Sequence, residues 1–267
     1  MKTFYELDPA TAAGVRYILF DIDGTITTGG KVTATAYGAL WRLHDAGYRP
    51  IPVTGRPAGW CDLIVRQWPV VAVVGENGAF VFHISGGRLC RYTHPNAAPE
   101  GFREKLDGIL SAATQKVPGC RAAKDQPYRL YDLAIDFNED APLLGLEAAE
   151  KIRALCAEMG AEAKISSIHV NAWFGRYDKL STALSFLRET GETRPKERVL
   201  FLGDSPNDEP MFEYFPISCG VANIRRFAPK MKHLPAYVAP REGADGFADA
   251  IAHFLSVCGQ SAPNDAG

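Results

Sequence analysis

The chain has 267 residues, 46% of them hydrophobic and 22% charged, with a formal net charge of −2. That is enough chain for one large domain or two modest ones, and its charge gives no general attraction to nucleic acid or to an anionic membrane. The six cysteines, at positions 61, 90, 120, 156, 219 and 258, form no C-x-x-C pair, which excludes a zinc knuckle or a dithiol redox motif.

The first residues, MKTFYELDPATAAG, contain no apolar h-region of the kind a signal peptide needs. No apolar run approaches bilayer length. The expected setting is therefore cytoplasmic and reducing, with no membrane partner and no nucleic acid. In chain order, the stretch before position 15 reads as a polar lead-in. The run 15–25, VRYILFDIDGT, is apolar and β-rich, like a strand buried on both faces of a parallel sheet, and it stops on Asp21, Asp23 and Gly24. Ligands of open α/β sheets bind beyond the carboxyl ends of strands, where these two acids stand. Thr33 then caps a helix that runs to about Gly47. A second strand, 48–53, ends on Thr54-Gly55-Arg56-Pro57, where a hydroxyl and an amide can both donate to an oxyanion.

A helix over 59–67 leads to a third buried strand, 70–74, which ends at Gly75-Glu76-Asn77-Gly78. Strands alternating with helices indicate βαβ units and a parallel sheet. The pattern changes from His83. Gly86-Gly87 marks a hairpin, 101–114 a helix, 129–137 a half-exposed antiparallel strand, 146–159 a helix, and 163–173 one further strand. This block reads as an inserted α+β module. On its last strand His169 and Asn171 share one face, while Trp173 and Phe174 read as apolar core.

The α/β pattern resumes with Lys179 opening a helix over 180–190, then a strand over 198–202 ending on Gly203-Asp204-Ser205-Pro206-Asn207-Asp208. A short helix over 209–214, strands at 217–221 and 237–239, and a closing helix over 247–257 complete the pattern. The tail from Gly259 reads as disordered. Side by side, these strand ends assemble Asp21, Asp23, Thr54, Asp204 and Asp208. So many carboxylates in one crevice need a cation to offset their repulsion. Mg²⁺ suits an all-oxygen set, Lys179 adds one more positive charge, and the whole matches what phosphoryl transfer requires.

With DIDGT at 21–25, Thr54 within VTGR, Lys179, and GDSPND at 203–208, the chain resembles the haloacid dehalogenase superfamily of phosphohydrolases over nearly its whole length. The resemblance implies a Rossmann-like doubly wound parallel core at 1–82 and 178–267 with an inserted α+β cap at 83–177, similar to the subclass IIB caps of sugar-phosphate phosphatases. The Asp21-to-Thr54 interval is too short for the alternative helical cap.

It further implies that Asp21 is the nucleophile, becoming an aspartyl phosphate, and that Asp23 is the acid/base. Thr54 and the Gly55 amide would hold the phosphoryl oxygens, and Lys179 would balance Asp21. Mg²⁺ would lie on Asp21, the Asp23 carbonyl, Asp204 and Asp208. Arg56, Asn77 and Asn207 are further candidates for substrate contact. Arg56 otherwise reads as the partner of an acid, and Asn77 as an Asx-turn residue. The implied activity is hydrolysis of a small phosphorylated metabolite, a sugar phosphate first, by a monomer or homodimer. The rivals are a phosphomannomutase-like phosphotransferase and a non-catalytic metabolite-binding module.

Overall fold

Two continuous apolar runs, Tyr17–Phe20 and Val199–Gly203, are buried at every residue, and they form the centre of the fold. In the computed structural model, which describes residues 1–166 and 168–258, they pair in parallel from Val199 beside Tyr17 to Leu202 beside Phe20. Around them lies a six-stranded sheet. Its order is Lys2–Thr3, Tyr237–Val238, Ser218–Gly220, Val199–Gly203, Tyr17–Phe20, Arg49–Pro52, and every neighbouring pair is parallel.

The period-two alternation of a strand sends Ile18, Phe20, Leu200 and Leu202 to one face, where Leu40, Phe247, Ile251 and Phe254 of helices Ala34–Asp45 and Gly243–Val257 meet them. Tyr17, Leu19, Val199 and Phe201 go to the other face, against Phe186 and Leu187 of Lys179–Glu189 and Met211 and Phe212 of Glu209–Tyr214. The sheet is thus covered on both sides, which is why its central strands carry no polar alternation. Thr33 caps its helix as expected, accepting from the Ala36 amide at 3.2 Å.

Several expectations need correction. The opening residues are not a lead-in: Lys2–Thr3 is the outermost strand, and Phe4 is fully buried against the closing helix. A two-residue strand has no alternation to read. The third strand, Ala72–Gly75, lies parallel beside Arg49–Pro52, joined by a bridge between Val53 and Val74 and by the amides of Val71 and Thr54, which donate to the Pro50 and Val74 carbonyls. It also pairs antiparallel with Phe80–Ser85, which pairs in turn with Arg88–Thr93, so the expected parallel strand doubles as the start of a hairpin sheet.

The cap is a four-stranded antiparallel sheet in the order Glu162–Ile165, His169–Trp173, Leu133–Asp136, Arg121–Ala122. Helices Phe102–Lys116 and Gly145–Glu158 cover it, and Leu106, Ile109, Ile135, Ile152 and Val170 fill the space between. The expected single strand 163–173 is two strands, folded back at a turn where Ser166 Oγ accepts from the His169 amide at 2.9 Å. The expected strand 129–137 is only Leu133–Asp136, and all four of its residues are buried. The residues just before it bend into a turn that buries Arg129 and Asp132. Trp173 packs into the cluster of the parallel sheet rather than that of the cap, stacked on Tyr177 with ring centres 5.6 Å apart, while Phe174 packs on the cap cluster. Among the described residues no helix is long and apolar enough to cross a membrane. The tail from Gly259 lies outside the described residues.

Candidate active site

Each central strand of the sheet stops at the same edge, and the residue that follows it carries chemistry. Asp21 follows Phe20, Thr54 follows the strand Arg49–Pro52 by two residues, and Asp204 follows Gly203. Carboxylate oxygens of Asp21, Asp204 and Asp208 come within 4.8 Å of one another, and all three residues are buried. Two glycines allow this approach. Gly24 sits at φ +84°, and a Cβ there would run into the Asp204 carboxylate. A Cβ on Gly203 would stand 2.6 Å from Asp208 Oδ2.

Lys179 is at the first turn of its helix, with its side chain 4% exposed. Its ammonium donates to Asp21 Oδ1 at 2.7 Å and to Asp208 Oδ1 at 2.8 Å. Asp208 Oδ2 accepts from the Asp204 amide. Asp204 Oδ2 accepts from Asn223 Nδ2 at 2.6 Å, and Asn223 also donates to the Gly24 carbonyl. Asp204 Oδ1 is buried with no hydrogen-bond partner among the described residues. One ammonium faces three buried carboxylates, so part of the charge is unbalanced. Burial pushes the Asp21 carboxyl up to about 7, against the pull of Lys179 and with Asp208 adding to the rise. Burial, then Asp21 and Asp208, hold Asp204 well above the usual carboxylate range. Lys179, although burial opposes its charge, is held above the ordinary lysine value by Asp208 and Asp21. The unpartnered oxygen, the all-oxygen donor set and the surplus of negative charge fit a hard divalent cation.

Asp23 lies beyond this cluster, part-exposed, gripped by Arg56 through Nε to Oδ2 and Nη2 to Oδ1, each at 2.8 Å. Thr54 is fully buried, and its Oγ1 accepts from the Arg56 amide at 3.1 Å, shaping the turn that presents Gly55. Asn77 adopts the left-handed conformation at φ +56°, and its amide donates to the Thr54 carbonyl at 3.1 Å.

Asp21, Asp23, Gly55, Arg56, Asn77 and Asn207 line one narrow cleft. The cap closes its far side with Arg129, His169 and Asn171, so the face shared by His169 and Asn171 is the one turned to the cleft. Thr54, Lys179, Asp204 and Asp208 support the cleft from behind without lining it.

Residues not singled out from the sequence tie cap to core. Glu76 is fully buried, and its carboxylate accepts from the amides of Ala58, Leu130, Tyr131 and Asp132 at 2.6 to 3.2 Å. Arg129 donates to the Gly55 carbonyl at 2.9 Å and pairs with Asp125 and Asp132. Asp132 also accepts from Asn171 at 3.1 Å. Glu139, on the loop after Leu133–Asp136, bridges Arg56 at 3.2 Å and His169 Nε2 at 2.8 Å. The available signals were the glutamate beside Asn77 in GENG, and charges inside the otherwise apolar stretch 129–137.

A profile described as a haloacid dehalogenase-like hydrolase matches residues 18–99, the segment that carries Asp21, Asp23 and Thr54. Over that segment the chain is similar to haloacid dehalogenase-like hydrolases. The phosphoglycolate phosphatase of Methanobrevibacter smithii is 27% identical over 250 residues, spanning 89% of this chain and 97% of the relative. The structure of Thermoplasma acidophilum protein 0175 matches with a TM-score of 0.69 at 19% identity, covering 90% of this chain and 98% of that one. That of a subclass IIB sugar phosphatase matches with a TM-score of 0.62 at 16% identity, covering 91% and 100%. The two structural likenesses carry the fold, core and cap together.

Proposed function

We propose that this protein is a phosphatase, a Mg²⁺-dependent phosphomonoesterase that works through an aspartyl phosphate on Asp21, with phosphoglycolate or a similarly small phosphorylated carboxylate as substrate. The observation that carries the reading is the meeting of Asp21, Lys179, Asp204 and Asp208 directly behind a cleft that Asp23 lines. The substrate choice follows the full-length archaeal relatives, named phosphoglycolate phosphatases, together with a narrow, polar cleft. A sugar phosphate, expected from the cap type, becomes the second candidate.

In this mechanism Asp21 attacks phosphorus, Lys179 opposes the effect of burial on its carboxyl, and a bound cation would complete its ionisation. Thr54 and the Gly55 amide hold the phosphoryl oxygens. Asp23 gives its proton to the leaving alkoxide and later takes one from the water that hydrolyses the acyl phosphate. The Arg56 fork fixes the orientation of the Asp23 carboxylate in the cleft. A divalent cation on Asp21, Asp204 and Asp208, with the Asp23 carbonyl, would supply charge neutralisation for the phosphoryl group. Arg56, Asn77 and Asn207 complete the substrate side of the cleft, and the cap excludes bulk water.

The same reading divides the chain into a core of 1–82 and 178–267 and a cap of 83–177, with one adjustment. The hairpin up to Thr93 stays hydrogen-bonded to Ala72–Gly75 and is better grouped with the core.

The deciding experiment is phosphate release from a panel of phosphorylated metabolites, with Mg²⁺ and with EDTA, for the wild type and Asp21→Asn. Metal-dependent release lost in the variant supports the reading. Isomerised sugar phosphate without free phosphate would replace it with a mutase, and binding without turnover would replace it with a sensor.

A further inference from the structure

Three groups at the cap side of the cleft form a chain of contacts that the proposed mechanism does not use: Arg56 Nη1, the Glu139 carboxylate and His169 Nε2. Their burial is unequal. The side chains of Arg56 and His169 are 6% and 3% exposed, whereas that of Glu139 is 32% exposed. Arg56 is further fixed by its fork to Asp23 and by Trp60, whose ring lies 4.2 Å from the guanidinium carbon. His169 sits within a cap strand paired on both sides. Glu139 stands on the loop after Leu133–Asp136, held there through its backbone amide to Asp136 Oδ1 at 2.8 Å, so its side chain can leave without disturbing that anchor. Its carboxyl is held down to about 2 by the hydrogen bond with His169, against its partial burial, with Arg56 adding to the effect. It is therefore a carboxylate at neutral pH.

We infer that Arg56 Nη1 and His169 form a subsite for a carboxylate on the leaving group, and that Glu139 is the chain's own carboxylate occupying that subsite between turnovers. Two buried donors on fixed elements face the cleft beside Asp23, the residue that protonates the group leaving phosphorus. The anion that satisfies them is the one member of the set with a ready path to solvent. A substrate carboxylate can take its place donor for donor, and Glu139 exchanges a buried pairing for hydration. A neutral leaving group cannot make that exchange, and Glu139 stays. Selectivity for anionic leaving groups is thus set by competition with an internal group. This inference rests on the phosphatase reading and adds the recognition element to it.

The test uses the full chain with Mg²⁺ and two esters of similar size, phosphoglycolate and 2-hydroxyethyl phosphate, for the wild type and Glu139→Gln. Glutamine keeps the size and removes the competing charge. We expect the selectivity, kcat/KM for phosphoglycolate over kcat/KM for 2-hydroxyethyl phosphate, to rise about threefold to tenfold, through KM of the carboxylate ester. His169→Gln should lower the same ratio. An unchanged or lowered ratio in Glu139→Gln overturns the inference while leaving the phosphatase reading intact. If neither ester is hydrolysed, the reading of a small phosphorylated carboxylate as substrate is what fails. Calorimetric binding of phosphoglycolate to the two proteins then decides the subsite, tighter binding to Glu139→Gln supporting it and equal or weaker binding refuting it.

Discussion

Arg56 meets Asp23 with a planar fork, two nitrogens on two carboxylate oxygens at 2.8 Å each. A lysine offers one ammonium on a flexible stem and cannot reproduce that geometry. Arg56→Lys should therefore reduce kcat by about tenfold to a hundredfold, because the acid/base carboxylate loses its fixed orientation. Steady-state kinetics with a thermal melt checks this, and a kcat equal to the wild type's would refute it.

Asp21, Asp204 and Asp208 repel one another when no cation lies between them. Asp204→Asn removes one of these charges, so the variant should melt a few degrees above the wild type in EDTA, equivalent to about 1–2 kcal/mol. Mg²⁺ should raise the melting temperature of the wild type and leave that of the variant unmoved. Its turnover should fall by at least about a hundredfold. A variant that melts lower than the wild type in EDTA would contradict the charge-repulsion account.

The Asp21 carboxyl, held near 7 against an ordinary 3.8, gives the metal-free protein a pH dependence of definite sign. Between those values the folded protein binds more protons than the unfolded chain. Stability from this group is full below the ordinary value and is lost as pH rises through about 7. Melts in EDTA should accordingly fall from pH 5 to pH 8, and less steeply in Asp21→Asn. Identical slopes in the two proteins would dispose of the idea.

Arg129 bridges Asp125, Asp132 and the Gly55 carbonyl, with Arg56 a second, longer partner of Asp125 at 3.6 Å. Arg129→Met should destabilise the protein by about 3–5 kcal/mol, since two buried carboxylates lose the cation they share. Glu76→Gln leaves that pairing in place but turns a donor toward incoming amides, so hydrogen exchange at residues 130–132 should quicken. Unaltered exchange there would show that Glu76 does not hold the linker.

What could be read from the sequence was what is local. DIDGT and GDSPND follow short apolar runs, so the strand and the group at its end are visible in one window, and the parallel core followed from the repeat of that pattern. The fold back between Ile165 and His169 was missed because its turn is built on Ser166 rather than glycine or proline, and the residues around it are apolar on both sides. Glu76, Arg129 and Glu139 carry no local signature. Apart from Asp125 and Asp132 beside Arg129, their side-chain partners lie 18 to 83 residues away, and only the folded chain shows that a charge in a mostly apolar stretch is a buried clasp rather than a solvated face.

That clasp bears on how such a protein can be rebuilt. The cap is spliced into the core at its two ends, yet three successive amides of its interior, Leu130 to Asp132, rest on a core carboxylate, and Arg129 grips the turn beside Thr54. Cap and core are therefore not interchangeable parts. A cap transplanted from a relative would need a matching partner for Glu76 and for the Gly55 carbonyl. Without them, the graft would leave a buried anion stranded in the host and free the loop that is proposed to hold the phosphate.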